Sequence, residues 1–242
     1  MSDNNIYNKL KELLDKAGGK YTILEEQVDV DLQMKFYEFS HELAKNKRTS
    51  EEIMSDVALL YDTMVELEDK KRILVELSES ESVEGFRELE RFLKVVDKDL
   101  KSWAILSYQH CRIGLESKLL DENKVFISTG LGGKEDKLRY FIAFKTKLNT
   151  DFTETQIKII DNEFSFVYKK NNCVIEEIKY VDQYLTFLAI MPVDCVINDV
   201  IVSAINEVNL YGDFLHADYL ITNVKILEKG DIDYYFKKKN KS

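Results

Sequence analysis

The sequence predicts an α+β protein: an N-terminal helical domain, then an α/β sandwich whose sheet is mainly antiparallel. Apolar residues recur at helical spacing as far as Leu120. From Val125 onward, short runs rich in β-branched and aromatic residues alternate with two helical patterns. The only proline, Pro192, leaves the helical half free to form long helices. We expect three parts: an all-helical domain at 1–122, a ββαββαβ domain at 123–236 and a basic disordered tail at 237–242.

The N-terminal half carries a series of amphipathic patterns joined by short polar links. Thr49 and Glu52 have the spacing of a capping box, which marks a helix start. Short links between successive helices predict antiparallel hairpins, stacked as a bundle or as a short helical repeat. The last hairpin resembles those of HEAT and tetratricopeptide proteins in architecture only, because no fixed repeat period is present. The predicted helices are Ile6–Ala17, Leu32–Ala44, Thr49–Leu67, Lys71–Leu77, Val83–Val96 and Leu100–Leu120.

The C-terminal half has the order β-β-α-β-β-α-β. Taken from its second strand, this order resembles that of ferredoxin-like domains and predicts both helices on one face of the sheet. Leu138–Phe144 and Tyr184–Met191 are apolar on both faces, so we expect them to be the central strands. The predicted strands are Val125–Thr129, Leu138–Thr146, Cys173–Val181, Tyr184–Met191 and Tyr219–Leu227, and the predicted helices are Thr153–Lys170 and Asp194–Leu210.

The composition indicates a soluble globular protein, with 45% hydrophobic and 32% charged residues. No secretory signal or membrane-spanning run is visible, so we expect no membrane association and a cytoplasmic location. The three cysteines are far apart and form no CxxC motif, which favours reduced thiols. The three histidines have no metal-ligand spacing. We therefore predict no metal site and no cofactor.

The net charge of −10 lies almost entirely in the helical half, where residues 1–122 contribute −9. Such a surface repels phosphate backbones, which makes nucleic-acid binding an unfavoured prediction. The segment 66–90 contains nine carboxylates, most simply a solvated face. As a second interpretation it is a docking surface for a basic protein partner, with four candidate residues: Glu76, Glu79, Glu81 and Glu88.

The glycine-rich connection after the first predicted strand is the best candidate for a ligand loop. Gly130, Gly132 and Gly133 could turn backbone N–H groups toward an anion, with Lys134 and Arg139 adding positive charge. The segment matches neither a P-loop nor a dinucleotide-binding fingerprint. A hairpin loop without a ligand and a partner-contact loop are the alternatives.

The remaining chemically reactive residues are predicted to be structural. His110 and Cys111 are adjacent on a helix and diverge by about 100°, so they do not form a nucleophile–base pair. Cys111 falls on the buried stripe of its helix, and Cys173 and Cys195 flank strands as core residues. No catalytic residues are predicted.

These observations favour a non-enzymatic cytoplasmic adaptor or regulatory protein that works through protein–protein contacts. Its partner is unidentified, and self-association through the sheet is a further option. One alternative is a sensor or enzyme that binds a small anionic ligand or nucleotide at the Gly130–Lys134 loop. Another is association with RNA or a ribonucleoprotein through the less acidic C-terminal half, whose aromatic residues carry no RNA-recognition consensus.

Overall fold

The computed structural model describes residues 20–120, 125–148 and 150–239. It shows a mixed helix and sheet protein with an antiparallel sheet, which confirms the predicted fold class at that level. The chain divides into two units, Met1–Ile127 and Ser128–Ser242. The predicted first helix, Ile6–Ala17, lies outside the described residues.

Unit 1 consists of five helices and a short parallel pair of strands among its described residues. Asp29 caps the first of these helices by accepting a hydrogen bond from the Leu32 N–H at 3.1 Å. The strands β1 (Tyr21–Ile23) and β2 (Val125–Ile127) pair in parallel. The helices are α1 (Val30–Leu43), α2 (Ser50–Ser55), α3 (Leu67–Glu79), α4 (Val83–Leu93) and α5 (Lys98–Leu120).

Helix α2 is much shorter than the pattern over Thr49–Leu67 predicts, although its predicted capping box at Thr49 and Glu52 is present. The Glu52 carbonyl, which would normally continue the helix, accepts hydrogen bonds from Arg48 Nη2 at 2.9 Å and from Ser55 Oγ at 2.7 Å. The Asp56 N–H donates to the Ile53 carbonyl instead, a 3₁₀ contact. The chain therefore turns away after Ser55 and exposes residues that a continuous helix would have buried.

Helix α3 forms the centre of the unit 1 core. Ile73, Leu74, Val75 and Leu77 are fully buried, so the helix is apolar on more than one side, as expected of a helix surrounded by others. It packs against α1, α4 and α5. Trp103 of α5 completes this core, with its ring 5.6 Å from that of Phe36 and 5.8 Å from that of Phe39 in α1.

Unit 2 contains five strands and three helices among its described residues. Thr153 caps its first helix in the predicted capping box with Gln156. Strand β7 begins earlier than predicted because the Asn209 side chain exchanges two hydrogen bonds with the Leu215 backbone, at 2.8 and 2.9 Å. The elements are β3 (Gly133–Lys134), β4 (Lys137–Thr146), α6 (Glu154–Lys170), β5 (Val174–Val181), β6 (Tyr184–Pro192), α7 (Ile197–Asn209), β7 (Leu215–Thr222) and α8 (Lys229–Lys239).

The sheet of unit 2 has the spatial order β5–β6–β4–β7, and every pairing is antiparallel. Short β3 pairs with the first residues of β4. The two strands that the sequence predicts to be central, β4 and β6, occupy the centre, with Phe141 opposite Leu188 and Phe144 opposite Leu185. Edge strand β5 carries a register shift between Ile175 and Glu177, which interrupts its pairing with β6.

The two faces of this sheet are covered differently. Helices α6 and α7 pack on one face around Phe144, Phe164 and Phe187, with ring centroids 4.7 to 5.3 Å apart. Helix α8 packs on the other face through Ile232 and Phe236. The sequence predicts a disordered tail from 237, whereas the structure continues α8 through Lys239 because burial of this apolar pair stabilises the helix.

Candidate functional site

Two backbone N–H groups of the predicted glycine loop donate hydrogen bonds within unit 2. The Leu131 N–H donates to the Asn223 carbonyl at 3.0 Å, and the Gly132 N–H donates to the Thr129 carbonyl at 3.3 Å. Gly130 packs so closely on Val224 that an added Cβ would lie 1.7 Å from the Val224 carbonyl oxygen. Tight packing on Val224 therefore explains Gly130, and these two N–H groups are not available to an anion.

The two basic residues predicted for this loop have separate roles. Arg139 donates to both carboxylate oxygens of Glu176, at 2.5 and 3.1 Å, and to the Leu131 carbonyl at 2.7 Å. This bidentate pair holds the loop against the sheet and neutralises the guanidinium charge. Lys134 is exposed at the hairpin turn before β4. The structure thus brings Arg139 to the loop as a structural clamp, with its guanidinium paired to Glu176.

Two of the four glutamates predicted as a partner surface are buried inside unit 1. Glu76 is 8% exposed and pairs with Arg48 at 3.0 Å. Glu88 is also 8% exposed, and it accepts hydrogen bonds from the Tyr61 hydroxyl at 2.7 Å and from Arg91 at 2.9 Å. The expectation of a solvated acidic face is corrected at these positions, because burial and ion pairing give both carboxylates a structural role.

The other two predicted glutamates also make contacts within unit 1. Glu79 accepts a hydrogen bond from the Ser40 hydroxyl at 2.5 Å and lies 3.4 Å from His110 Nε2. Glu81 pairs with Lys118 at 2.5 Å. Sequence reasoning could not anticipate these pairs, because each partner is distant from its glutamate in the sequence.

The structure instead exposes an apolar segment that the sequence pattern assigned to a helix stripe. We call residues Leu59–Leu67 the apolar turn. Four of its large apolar side chains face solvent: Met64 is 86% exposed, Tyr61 45%, Leu67 43% and Leu59 37%. Clustered exposed apolar residues, as opposed to scattered ones, mark interaction surfaces. The sequence pattern does not predict this exposure, because the same residues fit a continuous amphipathic helix.

The apolar turn is held in a defined conformation. The Tyr61 hydroxyl donates to Glu88, and its ring meets Phe92 edge-on with centroids 5.5 Å apart. Burial, followed by the hydrogen bond to Glu88, raises the pKa of Tyr61 to about 12. The Met64 N–H donates to Asp62 Oδ1 at 2.8 Å. Because the backbone is already ordered, binding through this turn costs little conformational entropy.

The rim of the apolar turn is acidic. Residues 57–69 contain four carboxylates and no lysine or arginine. Glu68 and Asp69 lie next to Lys71 and Arg72, at 2.6 and 3.4 Å, on the helix that follows. The turn therefore presents an apolar centre with the carboxylates of Asp62 and Glu66 beside it, a surface suited to an apolar pocket with a basic rim.

A cavity of about 200 Å³ lies in unit 2 between the sheet and α8. Its wall is mainly apolar, with Phe141, Leu188 and Ile232 among the lining residues. The charged residues around it are already paired: Lys179 with Glu177, at 2.8 Å, and Lys229 with Asp182. The cavity can accept a small apolar group, but these ion pairs do not provide a free charge that would orient one.

Within residues 20–120, 125–148 and 150–239, no group of three or more His, Cys, Asp or Glu could hold a metal ion. Over the same ranges, no helix is both long enough and apolar enough to cross a membrane.

Comparisons with known proteins do not assign the chain to a family. No protein-family model matches it, and no curated protein matches it. One similar solved structure is described as a "putative transposase from Deinococcus radiodurans R1". The two share 16% identity with a TM-score of 0.38, and the match covers 44% of this chain and 93% of that one. A similarity of this extent does not assign a function to this chain.

Proposed function

We propose that the protein is a non-enzymatic cytoplasmic adaptor or regulator that binds a protein partner through the apolar turn, Leu59–Leu67. The observation that carries this proposal is the exposure of four large apolar side chains within nine residues, with Met64 at 86%. Methionine and tyrosine are enriched at protein interfaces, and exposed apolar clusters on an ordered backbone have a low entropic cost of binding.

The chemistry of the apolar turn indicates the kind of partner. Tyr61 and Met64 fit an apolar pocket, and the carboxylates of Asp62 and Glu66 favour lysine or arginine around that pocket. The sequence predicts an acidic docking surface that includes Glu76 and Glu88, and both residues are buried. We therefore propose the exposed apolar turn as the docking surface in their place.

We propose that 1–122 is a stack of helical hairpins and that 123–236 is a ferredoxin-like domain. Two observations support the second assignment: the spatial strand order β5–β6–β4–β7, and the packing of α6 and α7 on one face of the sheet. The three successive helices α3, α4 and α5, which are joined by short turns and pack against one another, support the first assignment.

The proposed function is tested by capturing partners with two single-residue variants of the tagged protein. Met64→Ser removes the most exposed side chain of the apolar turn. Met34→Ser is the matched control, because Met34 is 56% exposed on α1 and lies outside the turn. We expect a stoichiometric partner that binds the wild type and the control equally and binds Met64→Ser at least about tenfold more weakly. Higher salt should slow its association.

The same experiment separates the alternative functions. If every captured protein is lost after nuclease treatment, the RNA-associated alternative replaces the adaptor. If both variants capture the same proteins equally, the apolar turn is not the docking surface. The anionic-ligand alternative predicts that nucleotides or phosphate raise the melting temperature of the protein. The structure does not favour this alternative, because the Leu131 and Gly132 N–H groups already donate hydrogen bonds to backbone carbonyls of the protein.

A further inference from the structure

Strand β5 lies at one edge of the unit 2 sheet and, among the described residues, pairs with β6 alone. The two-residue turn between these strands makes Val181 and Tyr184 their hydrogen-bonded closing pair. Hydrogen-bonded and non-hydrogen-bonded pairs alternate along an antiparallel ladder, so Ile178 and Tyr180 direct their N–H and C=O groups away from β6. Within the described part of the chain, no other backbone group bonds them there. The outer side of β5 is therefore open to a further strand.

The opposite edge of the sheet, β7, is protected by side chains of unit 2. The Tyr219 carbonyl accepts a hydrogen bond from the Tyr235 hydroxyl of α8 at 3.1 Å. The Asp218 N–H donates to His216 Nδ1 at 3.2 Å, and the Asp218 carboxylate pairs with Lys239 of α8. Natural proteins protect edge strands in such ways, because unpaired edges recruit other strands. The two edges of this sheet therefore differ, and β5 is the one available for pairing.

The side chains of β5 carry a charge pattern that is complementary to itself. Ile178 and Tyr180 pack partly buried on the face that α6 and α7 cover. Glu177 and Lys179 lie on the other face, with side chains 48% and 57% exposed, and pair with each other at 2.8 Å. Opposite charges thus flank Ile178 symmetrically, one residue before it and one residue after it. A second β5 strand that runs antiparallel about Ile178 meets each charge with its opposite.

We propose that the protein forms a homodimer in which the β5 strands of two copies pair antiparallel about Ile178 and join the two sheets into one. The two Ile178 residues then exchange both of their backbone hydrogen bonds. Glu177 of each copy lies opposite Lys179 of the other copy, on the exposed face of the sheet. Registers that set Lys179 opposite Lys179, or Glu177 opposite Glu177, are disfavoured because like charges directly opposite each other destabilise a strand pair.

The fold also sets the size of this assembly. The register shift between Ile175 and Glu177 leaves Glu176 as an extra residue, which Arg139 holds with two hydrogen bonds. Regular pairing with a second copy is therefore short, and small interfaces dissociate readily on dilution. A two-fold pairing uses the β5 edge of both copies, and β7 is protected, so growth stops at the dimer. This interface uses unit 2 and does not depend on the apolar turn of unit 1.

The test measures sedimentation of the full-length protein over a dilution series. Glu177→Lys and Lys179→Glu each set like charges opposite each other in both cross-strand pairs, so each variant alone should dimerise at least about tenfold more weakly than the wild type. An equal mixture of the two variants restores opposite charges in both pairs and should dimerise with nearly the wild-type affinity. A wild type that stays monomeric throughout, or a mixture that dimerises no better than either variant alone, would overturn the proposal.

Lys225→Glu is the matched control for net charge. It makes the same charge change as Lys179→Glu in unit 2 outside β5, and it breaks another exposed ion pair, that with Asp231 at 3.7 Å. This variant should dimerise like the wild type, and equal weakening would show that the register about Ile178 is wrong. All three variants should keep the wild-type melting temperature at a dilution where the wild type is monomeric, because exposed ion pairs contribute little to stability.

Amide hydrogen exchange followed by NMR locates the interface independently of charge. The Ile178 and Tyr180 amides should exchange about tenfold more slowly when about nine-tenths of the protein is dimeric than at dilution, because pairing with the second copy protects them. The Lys179 amide should be protected in both states, since it faces β6. A dimer in which Ile178 and Tyr180 exchange as they do in the monomer would refute pairing through β5.

Discussion

Replacing Gly130 by alanine should destabilise unit 2 without any ligand being involved. An added Cβ would lie 1.7 Å from the Val224 carbonyl oxygen and 2.7 Å from its carbonyl carbon. Close C···O contacts in proteins are about 3.3 Å or longer, so the two segments would have to separate by about 1.6 Å. Overpacking of this kind costs about 1–3 kcal/mol. Separation would also break the hydrogen bond from the Leu131 N–H to the Asn223 carbonyl, at 3.0 Å, which contributes about 1 kcal/mol.

The expected total is a loss of about 3 kcal/mol, which lowers the melting temperature of a domain of about 100 residues by about 15 °C. Circular dichroism measures the melt, and hydrogen–deuterium exchange of peptides from β4 and β6 assigns the loss to unit 2. Tryptophan fluorescence reports separately on unit 1, because the only tryptophan is Trp103.

Gly230→Ala is the matched control for this substitution. A Cβ at Gly230 in α8 would meet nothing within 4 Å, so the change should be neutral or stabilise by about 0.5 kcal/mol. If Gly130→Ala and Gly230→Ala have the same melting temperature, the close packing of the glycine loop is refuted. A ligand function for the loop would then regain support.

Two further predictions concern unit 1. Glu76→Lys should destabilise unit 1 by about 3 kcal/mol in urea unfolding, because the new positive charge would lie buried beside Arg48. The exposed control Glu90→Lys should change stability by less than about 0.5 kcal/mol. Equal effects of the two substitutions would show that Glu76 is not part of a structural ion pair. The pKa of Tyr61 is raised from 10.0 to about 12, so its neutral hydroxyl contributes stability that is complete below about pH 10 and is lost as pH rises through 12. Tyr61→Phe should therefore lose less stability than the wild type between these pH values, and parallel losses would refute the hydrogen bond to Glu88.

The sequence was informative where a local pattern and its physical cause lie in the same segment. The capping boxes at Thr49 and Thr153 depend on residues three positions apart, and both are present. The burial of Cys111 follows from the apolar stripe of one helix. The central position of β4 and β6 follows from side chains that are apolar on both faces of each strand.

The sequence was misleading where a side chain takes a backbone hydrogen bond that the helical pattern assumes. The pattern over Thr49–Leu67 predicts one helix, yet Arg48 and Ser55 take the Glu52 carbonyl and end it. The exposure of Tyr61 and Met64 follows from that break, so the candidate docking surface could not be found from periodicity.

The sequence by itself determined that this chain has a helical half and a sheet-containing half, since helical and strand periods are local properties of the chain. Only the tertiary structure decided which residues are available for function. Gly130 packs against Val224, and Glu76 pairs with Arg48, in each case across unrelated stretches of sequence. Burial and ion pairing depend on distances in space, and no local pattern encodes those distances.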